Sequence, residues 1–468
     1  MPILSDDRYF GPGSELKFVA NELFNKISEL PIISPHGHID PAIFLPEFKF
    51  GDPVELFITP DHYVFRMLYS QGIDLADLGI DNNPKILTED EKREIWQILG
   101  DNFHLFLGTP SGCWLTYEFS KIFGFEERLN GSNAQKLYDK ISEKIEEDSF
   151  VPSKLMKEFN INLITTTDPA YDSLDTHSKI LKSKLDFKII PSFRPDKLFQ
   201  ISSKEWKNEL EKLSSVTKSE INNFNRFICA LEKQREYFKS HGAVATDHGI
   251  EEPYTGSLTH EAVEIIFNKA LKDCVSKEEE KLFQGHMLME MARMSCEDGL
   301  VMQLHAGCFR NHNFPLFEKY GWDKGADLPV KTEFTNNLYQ LLNKYGNNKN
   351  FTLILFTMDE STYSRELAPL AGHYPALKLG PAWWFHDSIQ GMTRYRKSVT
   401  ETAGFFNTAG FNDDTRAFLS IPARHDLSRR MDCNFLAELV LTSQITIEEA
   451  EMLAYELTNG LVKKAYKL

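Results

Sequence analysis

Residues 32–41 read IISPHGHIDP. Two β-branched residues lead into a His-Gly-His step, then an acid and a proline. In an extended chain, residues i and i+2 point to the same side, so His36 and His38 project together. Two imidazoles placed side by side at the end of a strand make a metal pincer. A surface loop can produce the same pattern by chance, so the rest of the chain has to decide between the two.

Seven further apolar runs follow in order, and most end in chemically active residues. They are INLITTTDP (161–169), FKIIPSFRPD (187–196), GAVATDHG (242–249), GLVMQLHAG (299–307), FTLILFTMDE (351–360), PALKLGPAWW (375–384) and FNTAGFNDDTR (406–416). Amphipathic patterns such as SKEWKNELEKLSS and EAVEIIFNKALKDC separate most of them. Strand alternating with helix predicts a parallel sheet, and eight such units predict a (β/α)8 TIM-type barrel. Such a barrel builds its active site at the C-terminal ends of its strands, where the His-x-His, Asp, Arg, Asp-His, His, Asp-Glu, Trp-Trp and Asp-x-Arg endings fall. The stretch between the first two runs is too long for one connection. It reads as a helical insertion, residues 40–150, capping the mouth of a barrel made of residues 1–39 and 151–468.

Composition narrows the class. The 468 residues are 42% hydrophobic and 26% charged, ordinary for a soluble globular protein. A net charge of −16 argues against a nucleic-acid partner, which would want a basic face. No run approaches a membrane span. The start, MPILSDDRYFGPG, lacks the apolar core of a signal peptide, and the six cysteines show no paired spacing. A cytoplasmic, reduced enzyme is the expectation; whether it assembles with copies of itself is left open.

The candidate residues follow from the strand ends. His36 and His38 are the metal pincer; Asp414, at the end of the eighth run, lies next to the first when the barrel closes and can reach the same ion. His305 in QLHAG is either a further ligand or a hydrogen-bonded pocket histidine. Arg194 and Arg416 sit just past strand ends, where a guanidinium can grip a carboxylate with two bonds or pair with Asp196 or Asp414. Arg310 lies farther from its strand. Trp383 and Trp384 are expected to alternate, one toward the pocket and one into the core.

The pieces PHGHIDP, DHYVFRML, TTTDP, SFRPD, ATDHG, QLHAGCFRNHN, GPAWWFHD and NDDTRAFLS span residues 35 to 420 in order. Together they resemble the uronate (glucuronate) isomerase family of the amidohydrolase superfamily of metal-dependent barrels. The sixth run, ending in FTMDE, departs from that pattern, and no strand-end lysine is available to bridge two metals, so one metal at most is expected. The resemblance implies an aldose–ketose isomerase for small hexuronates: D-glucuronate with D-fructuronate, and D-galacturonate with D-tagaturonate. It implies Asp414 as carbon base, Tyr63 and His62 in oxygen proton transfer, and Arg194, Arg416, Arg310, Trp383, Trp384, His305 and Asp247 around the substrate. The implied cofactor is one divalent ion, zinc first, on which the reaction need not depend. Two rivals are a metal-dependent hydrolase of the same superfamily, which would put solvent oxygen into its product, and a non-catalytic sugar-acid binder, which has no use for a base beside a metal.

Overall fold

The computed structural model describes residues 3–82 and 85–468. The strands of its two main sheets are short, parallel and rich in Ile, Leu and Val. In Val301–Ala306 and Leu353–Thr357 every residue is buried, as expected of strands covered on both faces. Ile32–Ser34 pairs with Ile161–Thr165, which pairs with Lys188–Ile190. A second sheet orders Asp168–Pro169, Phe193–Arg194, Ala245–Ile250, Val301–Ala306, Leu353–Thr357 and Leu377–Leu379, all parallel.

The two sheets are parts of one circuit. Across the break, Thr166 N–H donates to Ile190 O and Ser192 N–H to Thr166 O, so the second and third runs stay paired from end to end. A single bridge joins Leu379 to Thr408 in the eighth run. From there His38 N–H donates to Thr415 O at 2.9 Å, returning the eighth run to the first. This order is the one expected of the barrel.

Packing gives the same picture. Ile33, Leu163, Ile190, Ala245, Val301, Ile354 and Ala409, one from each of seven runs, share a single buried cluster with Val462, Ala465 and Tyr466 of the last helix. Tyr466 is fully buried, and its hydroxyl donates to Gln303 Oε1 at 2.9 Å, so the helix Leu461–Tyr466 plugs the interior. The alternate residues, Met302, Leu304, Leu353, Leu355, Leu377 and Leu379, pack outward against the helices. That is the two-residue period of a strand with a core on each side.

Between the first two strands the described chain is helical, as the sequence implied. Val54, Val64, Trp96, Phe106 and Leu137 from this segment join Ile32, Ile161 and Ile164 in one buried cluster. Among the described residues no helix is long and apolar enough to cross a membrane, and all six cysteines are unpaired.

Two features depart from the sequence reading. The seventh strand ends at Leu379, before the tryptophans, so Trp383 and Trp384 do not alternate across a strand. The fifth strand leads into an excursion containing a small antiparallel pair, Cys308–Phe309 with Leu328–Pro329. The excursion begins at Gly307, whose φ is +87°; a Cβ there would lie 2.4 Å from Thr332 Oγ1. Gly307→Ala should therefore lower the unfolding free energy by about 2 kcal/mol, from left-handed strain plus overlap. Urea denaturation tests this, and an unchanged midpoint would mean that the turn adapts at no cost.

Candidate active site

One cavity of about 500 Å³ opens at the C-terminal ends of the strands. All twelve side chains singled out from the sequence line it: His36, His38, His62, Tyr63, Arg194, Asp247, His305, Arg310, Trp383, Trp384, Asp414 and Arg416. At its floor Asp414 Oδ1 lies 3.3 Å from His36 Nε2 and 3.1 Å from His38 Nε2. Asp414 Oδ2 accepts the indole N–H of Trp383. The Asp414 backbone is left-handed, φ +45°, a conformation open to Asp and Asn but costly for most residues. Because the chain leaves the seventh strand early, both tryptophans reach the cavity wall; Trp383 is also a member of the buried core cluster, so the expected split into one pocket and one core residue does not hold.

A second cluster shares His36. His305 Nδ1 lies 2.7 Å from Asp247 Oδ1, and Arg194 Nη1 lies 3.4 Å from Asp247 Oδ2. The His305 ring stacks on His36 with centroids 4.6 Å apart. Donor atoms of His36, His38 and Asp414, and of His36, Asp247 and His305, fall within 4.8 Å of one another in each group.

Burial sets the charge states. It pushes Asp414 and Asp247 upward, but their neighbours reverse this: His36, with His38 in hydrogen-bond range, beside Asp414, and Arg194, with His305 and His36, beside Asp247, hold both carboxyls well below the usual range. Burial drives His38 down to about 4 and lowers His305, each despite an adjacent carboxylate, so both rings are neutral near pH 7. His36 is raised, because Asp414 and Asp247 together outweigh its burial.

These donors suit a divalent cation. His36 Nδ1, Asp414 Oδ1, Asp247 Oδ1 and His305 Nε2 are buried without a hydrogen-bond partner, although the imidazole–carboxylate pairs are within ion-pair distance. Buried polar atoms are normally satisfied, so unpartnered carboxylate oxygens within reach of imidazole nitrogens fit a shared ion. Imidazole with carboxylate is a ligand set for zinc-like metals.

The roof comes from the helical segment. Asp61 caps the helix His62–Tyr69, its Oδ1 accepting Tyr63 N–H at 2.8 Å, which sets His62 and Tyr63 at the helix start facing the cavity. Burial lowers His62 to about 3 and raises Tyr63 well above its ordinary value, so both are neutral. The Tyr63 hydroxyl lies 3.2 Å from Asp387 Oδ2, to which Arg424 Nη1 also donates at 3.1 Å. The Arg424 guanidinium carbon in turn lies 3.6 Å from the centre of the Trp114 ring.

Asp387 and Arg424 were not foreseen as site residues. Asp387 stood in view, within GPAWWFHD. Arg424 lies in the helix Ile421–Leu441, whose buried residues include Arg424, His425, Arg429, Arg430 and Asp432, so no local pattern singled it out. The opposite error concerns the sixth strand. Its Asp359-Glu360 ending does not line the cavity: Asp359 Oδ2 accepts Thr332 N–H at 2.9 Å, and Glu360 pairs with Arg394 at 3.0 Å.

The arginines separate by environment. Arg194 Nε donates to Asp196 Oδ2 at 2.8 Å, the pairing weighed from the sequence. Arg416 pairs instead with Asp323 at 2.9 Å, out on the fifth-strand excursion. Arg310 binds Asp327 at 2.9 Å and lies 3.9 Å from Asp323.

Comparison with known proteins reaches the whole chain. A protein named uronate isomerase from Nostoc punctiforme is 50% identical over 468 residues, covering 100% of this chain and 99% of the relative. The crystal structure of glucuronate isomerase from Caulobacter crescentus superposes with a TM-score of 0.97 at 45% identity, covering 100% of this chain and 98% of that one. The crystal structure of uronate isomerase from Thermotoga maritima gives 0.92 at 25% identity over 99% of each chain. The family model described as glucuronate isomerase matches residues 15–463, and the chain belongs to that family.

Proposed function

We propose that the chain interconverts aldose and ketose hexuronates, D-glucuronate with D-fructuronate and D-galacturonate with D-tagaturonate, with Asp414 as the base that moves the C2 proton to C1. The observation that carries the assignment is the setting of Asp414. It is ionised, mostly enclosed, fixed through Oδ2 by the Trp383 indole, and placed beside His36 and His38 on the cavity floor. Oδ2 accepts one N–H and keeps a lone pair for a carbon-bound proton. One carboxylate on one face of a cis-enediol can remove the proton and return it to the neighbouring carbon.

Neutral His62 and Tyr63 border the same cavity and serve the oxygen protons. Tyr63 is held by Asp387, and that carboxylate is held by Arg424. The substrate carboxylate belongs at Arg416 and Arg310, a reading supported by Asp323, which pairs with Arg416 and lies 3.9 Å from Arg310. Arg194, engaged by Asp196 and Asp247, contributes positive charge near the imidazoles. Trp383 and Trp384 offer apolar faces to the C–H side of the sugar.

His36, His38 and Asp414 would hold the ion, zinc by ligand preference, with Asp247 and His305 adjoining through His36. Such an ion, when bound, would polarise the substrate oxygens and spread enediolate charge. The segment 40–150 acts as the cap that carries Tyr63 over the barrel, and the reaction belongs to hexuronate breakdown in the cytoplasm.

Ketose formation from glucuronate and galacturonate tests the activity directly; no ketose from either would refute it. The metal is tested separately. One divalent ion per chain should co-purify, and the His36→Ala/His38→Ala double variant should lose it in elemental analysis. Equal metal in both proteins would place the ion elsewhere.

A further inference from the structure

We infer that Asp323 stands in for the substrate's carboxylate in the free protein, and that a uronate enters by exchanging one carboxylate for another at Arg416 and Arg310. The inference rests on the reading of those arginines as the substrate clamp. Asp323 comes from the excursion after the fifth strand, beside Trp322 and Gly325, which also border the cavity. Its two oxygens face the two guanidinia, Oδ2 toward Arg416 and Oδ1 toward Arg310. Burial alone would raise its pKa, but Arg416 and Arg310 hold it low, so it stays ionised.

A carboxylate meeting a two-arginine fork is the contact the substrate needs. Two anions cannot share the fork without repulsion, so one must leave. Asp323 is the member able to leave. Its pair with Arg416 is open to solvent, with side-chain exposures of 42% and 36%, and such pairs are weak. Arg310 keeps Asp327, which is 4% exposed, and remains anchored once Asp323 has gone. Residue 323 also has a left-handed backbone, φ +59°, which asparagine tolerates, so Asp323→Asn removes the charge without forcing the turn.

An internal competitor weakens binding, so removing it should strengthen binding. In Asp323→Asn the KM for glucuronate should fall about two- to fivefold, the scale of an exposed ion pair. The Kd for gluconate, which carries the carboxylate but has no carbonyl to isomerise, should fall by the same factor in calorimetry. Glu205→Gln is the control: it removes one negative charge from the same cavity at an exposed acid that pairs with neither arginine, and should leave both constants unchanged. Unchanged or raised constants in Asp323→Asn would overturn the exchange and make Asp323 a positioning residue for Arg416. An equal fall in Glu205→Gln would reduce the effect to bulk charge and overturn it too. If the wild type forms no ketose, the isomerase reading fails by itself, while gluconate binding to the variants still decides the exchange.

Discussion

Asp414→Asn should turn over glucuronate at least about a hundredfold more slowly than the wild type, the usual scale for a lost general base. Asparagine matches aspartate in shape and accepts the left-handed backbone at this position, so the fold is not the variable. Isotope transfer gives the independent reading. Glucuronate carrying deuterium at C2 should yield ketose with part of the label at C1 and the rest lost to water, because a carboxylate proton exchanges before it is returned. A hydride shift keeps nearly all the label whatever stands at 414. Complete retention in the wild type, with substantial activity in Asp414→Asn, would leave Asp414 a metal ligand and nothing more.

Arg416→Met should raise KM for both uronates about thirtyfold, corresponding to about 2 kcal/mol. That is the low end for truncating one partner of a hydrogen-bonded charge pair, taken because Arg416 is partly open to water. Neutral aldoses, with no carboxylate to lose, should be poor substrates before and after. Arg194→Met separates the two arginines. Removing Arg194 leaves Asp196 and the fully buried Asp247 short of a cation, so its main effect should be lost stability and metal content rather than a selective rise in KM. A selective KM rise in Arg194→Met, with Arg416→Met unaffected, would move the clamp from the cavity's outer side to the neighbourhood of His36.

The runs were legible because most are short, apolar and largely buried, and that signal is local; the eighth forms only the bridge at Thr408. The floor of the site was legible for a similar reason: His36 lies two residues past its strand, His305 within the end of its own, and Asp414 six residues past the Thr408 bridge, so sequence position nearly determines spatial position. The tryptophan pair was misread because strand length is settled by neighbours. Leu379 pairs with both Leu355 and the Thr408 bridge, and nothing in PALKLGPAWW marks where that pairing stops. Asp387 and Arg424 were missed because their roles depend on Tyr63, more than 300 residues away for each, and no local pattern reports such a contact. Asp359 and Glu360 misled for the converse reason. An acid after a strand resembles a catalytic group, and here it closes a turn and pairs with a helix.

The helix Leu461–Tyr466, whose Val462, Ala465 and Tyr466 pack against the inward-facing residues of the strands, bears on how the protein is made. A ribosome releases the first seven strands before the Thr408 segment that closes the ring and the helix that fills it. The closing steps therefore wait until residues 408–466 have been made. Until then the first strand stands as an open edge, the kind of surface on which nascent chains stick to one another. That edge is only three residues long, Ile32–Ser34, and ends in a proline at 35 that has no N–H to offer. A partly made chain thus exposes little backbone for mispairing at the edge where an unfinished molecule is vulnerable to aggregation.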